Sequence, residues 1–206
     1  MRNIFLYVVV VITTFSCKPK PIITIKNDHN VQKVFNSDEI TSLDMIIKYF
    51  DSVIIKNTKN WNIAQAYNDY FENISTTESL QDLNTYVGLA NSNGTKAVIE
   101  KLKDRKVFNE IWKYSYGYQY KSGDTSSVQL SLNVQGKYFK LLRLIGKKNV
   151  FIKKYVNSVE SAGCISPSLV AYVMKDYNDI DFQKPVNRLI MAVHYITFLS
   201  TESVVK

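Results

Sequence analysis

The stretch from residue 36 to residue 54 constrains the fold class most tightly. Its apolar side chains return every third or fourth position, at Ile40, Leu43, Ile46, Ile47, Phe50, Val53 and Ile54. That spacing lines them along one face of an α-helix. Asn36 stands just before the run and Glu39 three residues on, the pattern in which each side chain caps the other's backbone N–H. Phe35 and Ile40 fit the hydrophobic staple that accompanies such a cap.

The same period predicts helices over 62–74, with Ala66, Tyr67, Tyr70, Phe71 and Ile74 as the stripe, and over 75–90, opened by Ser75 with Glu78 as a second capping box. The run Asn91-Ser92-Asn93-Gly94 reads as a turn. After it, 95–103 and 107–112 form two helical pieces or one bent helix. A long amphipathic helix is expected over 136–161, with Tyr138, Leu141, Leu142, Ile145, Ile152, Val156 and Val159 on one arc and Gly163 as its stop. Ser166-Pro167 reads as a cap and first-turn proline opening a helix to about residue 177, and 182–199 reads as the last helix. Only seven glycines and four prolines argue against disorder and against a turn-rich β-sandwich. The expected fold is mainly α, an irregular or orthogonal bundle of about six or seven helices.

One segment changes period. Trp112, Tyr114, Tyr116, Tyr118 and Tyr120 alternate with Lys, Ser, Gly and Gln, and Val128, Leu130, Leu132 and Val134 alternate after the turn Ser122-Gly123-Asp124. That is strand spacing and predicts a central β-hairpin with an aromatic and an aliphatic strand sharing a face. A helix ending at Trp112 and running into an irregular loop fits the same residues. The tyrosines of the ladder would stack on sugar rings if exposed, or fill the core if buried.

No catalytic set, metal set or cofactor motif is visible. The two histidines, His29 and His194, lack partners at zinc spacing, and His194 sits beside an apolar stripe as a core-edge residue. The acidic run from Asp176 to Asp181 lacks the glycine and glutamate of a calcium loop and reads as a helix connection. Cys164 would need His194 as its base to act as a nucleophile. No nucleophile elbow or glycine-rich phosphate loop occurs. A glycosidase remains open, since its two carboxylates need not be near in sequence.

The net charge is +8, and Arg2 is the only charge in residues 1–16. A basic balance favours anionic partners. On the expected 136–161 helix, Lys140, Arg143, Lys147 and Lys154 lie opposite the apolar arc, a stripe about 20 Å long. An ordinary solvated face has this pattern. So does a surface for lipid headgroups, acidic glycan or an acidic protein.

The N-terminus decides location. After Arg2, the apolar run of 4–12 reaches only about 14 Å as a helix, half of what a bilayer core needs. It reads as a signal peptide, with a buried N-terminal strand as the other reading. Thr14-Phe15-Ser16-Cys17 follows it and resembles the lipobox of bacterial lipoproteins. Ser16 and Cys17 match the motif, while Thr14 stands where Leu is usual and Phe15 where a small residue is usual. The resemblance implies that Cys17 is acylated and becomes the first residue of the mature chain. Ordinary signal cleavage after Ser16 would leave the same start with a free thiol. With Cys17 acylated, Cys164 has no partner and is expected to be buried as a small apolar group. With Cys17 free, a Cys17–Cys164 bridge is open. The stretch over 157–190 also resembles uncharacterised helical lipoproteins of Bacteroidetes, which implies a helical fold and no activity.

The expected organisation is a signal peptide over 1–16, a lipidated flexible tether over 17–33 and one helical domain over 34–206. The expected function is that of a cell-envelope lipoprotein, on the periplasmic face or the cell surface. It would be a non-enzymatic interaction module with no cofactor and no nucleic-acid partner. An enzyme acting on envelope glycan or peptide, and an immunity-type lipoprotein that neutralises a toxin, are the other function classes.

Overall fold

The computed structural model describes residues 24–76, 92–118 and 126–202. Among them the chain is mainly helical, with one two-stranded antiparallel hairpin. The expected signal peptide and Cys17 lie outside the described residues.

The fold begins earlier than expected. Ile25–Asn27 makes a 3-10 turn and α1 (His29–Gln32) follows, capped by Asp28, which accepts from the backbone N–H of Asn30 and Val31 at 2.9 and 3.1 Å. Ile25 and Val31 are fully buried. The tether expected over 17–33 is therefore corrected: from Thr24 onward the chain is packed into the domain, because two apolar side chains on so short a segment are drawn into the core.

Helix α2 (Ser37–Thr58) carries the expected capping box. Asn36 Oδ1 accepts from Asp38 and Glu39 N–H at 3.1 and 3.0 Å, and Glu39 Oε2 accepts from Asn36 N–H at 2.8 Å. Phe35 and Ile40 are both buried beside it. Glu39 also receives the Lys137 ammonium, tying the start of α2 to a helix 98 positions away. Replacing Asn36 by alanine is expected to lower stability by about 1 kcal/mol, read from the urea midpoint.

Helix α3 (Ile63–Ser75) starts on Asn62 and buries Ala66, Tyr67, Tyr70, Phe71 and Ile74, as the stripe predicts. Ser75 is the last residue of α3. It closes α3, its hydroxyl donating to the Glu72 carbonyl at 2.8 Å, and the rest of the helix expected over 75–90 lies outside the described residues from 77 on. Helix α4 (Ser92–Lys103) includes Asn93 and Gly94, which the sequence marks as a turn. A 3.0 Å hydrogen bond between Thr95 and the Tyr49 hydroxyl docks this first turn on α2, and tertiary contact overrides the local turn preference.

Helix α5 (Lys106–Ile111) is separate from α4 and leads directly into β1 (Trp112–Tyr118), which pairs with β2 (Ser126–Leu132). Trp112 pairs with Leu132 and Tyr114 with Leu130, so these aromatic and aliphatic residues share one face as the alternation predicts, and Tyr116 is in register with Val128. Trp112, Leu130 and Leu132 are buried, whereas Tyr114, opposite Leu130, is 57% exposed.

The helix expected over 136–161 is two helices, α6 (Lys137–Gly146) and α7 (Val150–Ala162), folded back on each other. The break has local causes. Asn149 Oδ1 caps α7 by accepting from Ile152 N–H at 2.9 Å, and Gly146 lets the two helices approach closely, since a Cβ there would sit a tight 3.3 Å from the Lys153 backbone. Gly163 ends α7 as expected, and Ser166 with Pro167 opens α8 (Pro167–Lys175). After a 3-10 turn at Tyr177–Asp179 comes α9 (Pro185–Glu202).

Helix α9 is the axis of the core. It packs on α2, α4 and β2, and from Val186 through Ile196 it is buried on every side. An apolar helix buried all round is a core helix, not a surface one. Around it Phe50, Tyr67, Phe71, Phe182 and Tyr195 form a connected ring cluster, with Phe71 and Phe182 stacked at 5.5 Å. Arg188 on α9 reaches Asp51 on α2 at 3.1 Å and the Phe182 carbonyl at 2.9 Å, and Asp51 also accepts from the Tyr67 hydroxyl on α3 at 2.8 Å. Burial raises the Asp51 pKa, and Arg188 and Tyr67 draw it back down. No described helix is long and apolar enough to cross a membrane.

Candidate anionic-partner surface

The four cations of the expected stripe do not form one line, because the helix that would carry them is broken. Lys140, Arg143 and Lys147 stay together on α6 and its C-terminal turn. With Lys33, Val34 and Leu144 they line one open groove of about 470 Å³. Lys154 lies on α7 and lines a different groove, with Asn157, Ser158, Ser168 and Tyr172, its ammonium 5.7 Å from the centre of the Tyr172 ring.

Within the first groove the cations are not equivalent. Arg143 donates from Nε to Glu160 at 2.8 Å and from a terminal nitrogen to the Val134 carbonyl at 2.9 Å, and its guanidinium lies 5.6 Å from the Phe139 ring centre. It serves as a clamp between α6, α7 and the end of the hairpin, with its charge met by Glu160. Lys33, Lys140 and Lys147 are exposed and make no ion pair among the described residues. Lys33 was hidden from the sequence reading because it falls in the segment assigned to the tether. Its signal was the Asp28 cap with Val31 three residues on.

The other candidates separate. Cys164 is exposed with a free thiol, which corrects the expectation that it is buried. It follows Gly163 in the turn between α7 and α8, where no core is near enough to cover it. His194 is fully buried, deeper than the core-edge position its pattern suggests, and its Nδ1 lies 3.2 Å from the Tyr155 hydroxyl. A surface thiol and a core imidazole do not form a nucleophile–base pair. The Nε2 of His194 and the hydroxyls of Tyr138 and Tyr195 have no hydrogen-bond partner among the described residues.

Asp176 ends α8, and Asp181 accepts from Gln183 N–H at 3.0 Å and pairs with Lys184 at 3.4 Å, so these acids shape the connection, as the spacing predicts. Among the described residues no three His, Cys, Asp or Glu side chains converge as metal ligands would.

Comparison with protein-family models, with curated proteins and with solved structures found no match to this chain.

Proposed function

We propose that this chain is a cell-envelope lipoprotein, anchored through an acylated Cys17, whose helical domain is a non-enzymatic interaction module with an anion-binding face. The observation that carries the anchor is the run of residues 4–12, too short to span a bilayer, ending in the lipobox-like Thr14-Phe15-Ser16-Cys17. The groove of exposed lysines, unpaired among the described residues, supports the anionic face. Exposed Cys164 and buried His194 leave the thiol without the base that a nucleophile needs.

Intact mass of the protein purified from its host tests the anchor. The expected species begins at Cys17 and carries diacylglycerol and a further acyl chain, palmitate among them. The Cys17→Ser variant is expected to leave the membrane fraction or to keep its leader unprocessed, since several buried chains hold far more strongly than the apolar run alone. A mature chain starting at Cys17 with an unmodified thiol would reduce the protein to an ordinary secreted one and end this proposal.

A further inference from the structure

We infer that the groove of Lys33, Lys140 and Lys147 seats the domain against anionic phospholipid headgroups of the membrane that holds the anchor, an inference that rests on the lipoprotein reading above. Three observations lead there. The groove carries three exposed ammonium groups without a counterion among the described residues, while its Arg143 is already matched by Glu160. Its remaining lining, Val34 and Leu144, is apolar, so the lysine stems can lie along it while their heads reach outward to phosphate.

The third observation is where the chain enters the fold. The Gln32 side chain donates to the Lys26 carbonyl at 2.7 Å, which folds the entry segment back beside Lys33, and α1 packs on α6. Entry point and groove therefore share one end of the molecule. From Cys17 to Thr24 a fully extended chain reaches at most about 25 Å. An acylated Cys17 thus holds this end of the domain, and not the far end of α2, next to the bilayer. At that range the groove meets headgroups at high effective concentration before it meets any free partner. Each lysine brought to an anionic surface strengthens contact about fivefold, so the three together give on the order of a hundredfold.

Lysine acetylation footprinting by mass spectrometry tests this on the protein purified from host membranes. It is placed in vesicles of phosphatidylcholine with phosphatidylglycerol, or of phosphatidylcholine alone. Acetylation at Lys33, Lys140 and Lys147 is expected to be at least about fivefold slower in the anionic vesicles, and the difference to vanish in ~1 M salt, where screening is nearly complete. Lys56 and Lys59, at the far end of α2, a helix about 30 Å long, serve as references and should react alike in both. The double variant Lys140→Glu, Lys147→Glu, altered only at exposed positions, is expected to lose the protection of Lys33 as well. Equal rates at the three lysines in both vesicles overturn the inference. So does protection that appears in native membranes but in neither vesicle, which would assign the groove to an acidic protein. Should intact mass show Cys17 unacylated, the lipoprotein reading fails separately. The same footprint with vesicles added to the unanchored protein then decides whether the groove itself engages headgroups.

Discussion

Between pH 6.5 and about pH 3 the protein is expected to lose stability by up to about 1.4 kcal/mol per pH unit through one residue, His194. The imidazole is fully buried, edge-on to Tyr155 and Tyr195, and its one partner is the Tyr155 hydroxyl. Burial also pushes the Tyr155 and Tyr195 hydroxyls up, so both stay neutral and no anion beside the ring offsets its charging. Burial accordingly pushes the His194 pKa down from 6.5 to about 3. In the unfolded chain the same ring takes its proton near its ordinary value. Below that pH the unfolded state binds more protons than the native one, so stability falls as pH falls. The contribution is complete above 6.5 and exhausted below about 3, for a total on the order of 5 kcal/mol.

Two carboxylates bracket this effect. Asp69, held low by Asn60 and Gln65, adds to the loss only at the acid end, and Asp51, raised by its burial, opposes it. Urea unfolding from about pH 7 down to about pH 4 separates them, because only the histidine slope disappears in a His194→Leu variant. That variant also gives up the Tyr155 hydrogen bond, so its slope is the informative quantity. Parallel pH profiles for the two proteins would remove His194 as the source.

Replacing Gly136 by alanine is expected to cost about 3 kcal/mol. Gly136 is buried and caps α6, and a Cβ there would stand 2.3 Å from the Glu110 carbonyl oxygen and 2.8 Å from its carbon. The obstacle is backbone at the end of α5, which cannot swing aside as a side chain would. Relieving it means separating α5 from the start of α6. That strains the bond from Lys137 N–H to Glu110 at 2.9 Å, the bond from the Asn133 side chain to the Asn109 carbonyl at 2.7 Å, and the Lys137–Glu39 pair beyond them. Trp112, buried and donating to Thr197 at 2.8 Å, gives a fluorescence reading of the urea transition. A loss under about 1 kcal/mol would show that the α5–α6 junction yields, contrary to its close backbone packing.

The elements written in local chemistry were legible in the sequence. The Asn36–Glu39 box, the α3 stripe, the Trp112–Leu132 alternation, the Gly163 stop and the Ser166-Pro167 start each depend on residues within a turn or a strand pair of one another, so their spacing alone carries the signal. The elements that failed were those where distant packing outvoted local preference. Asn93 and Gly94 were drawn into α4 by Tyr49, and residues 24–32 were drawn into the core by Ile25 and Val31. The 136–161 pattern held its period through Gly146, because two helices folded back on each other can keep the same buried face as one straight helix. Hydrophobic period records which side is buried and not whether the axis turns.

The candidate surface shows the same division. Its cations and the lipobox-like segment could be read directly, as could the mainly helical fold. That Arg143 is matched by Glu160, that Lys154 belongs to another groove, that Lys33 joins Lys140 and Lys147, and that His194 lies in the core while Cys164 lies outside it, were decided only by tertiary structure. Residue spacing determines what one helix presents on its own face, whereas charge pairing and burial depend on which other helix covers that face.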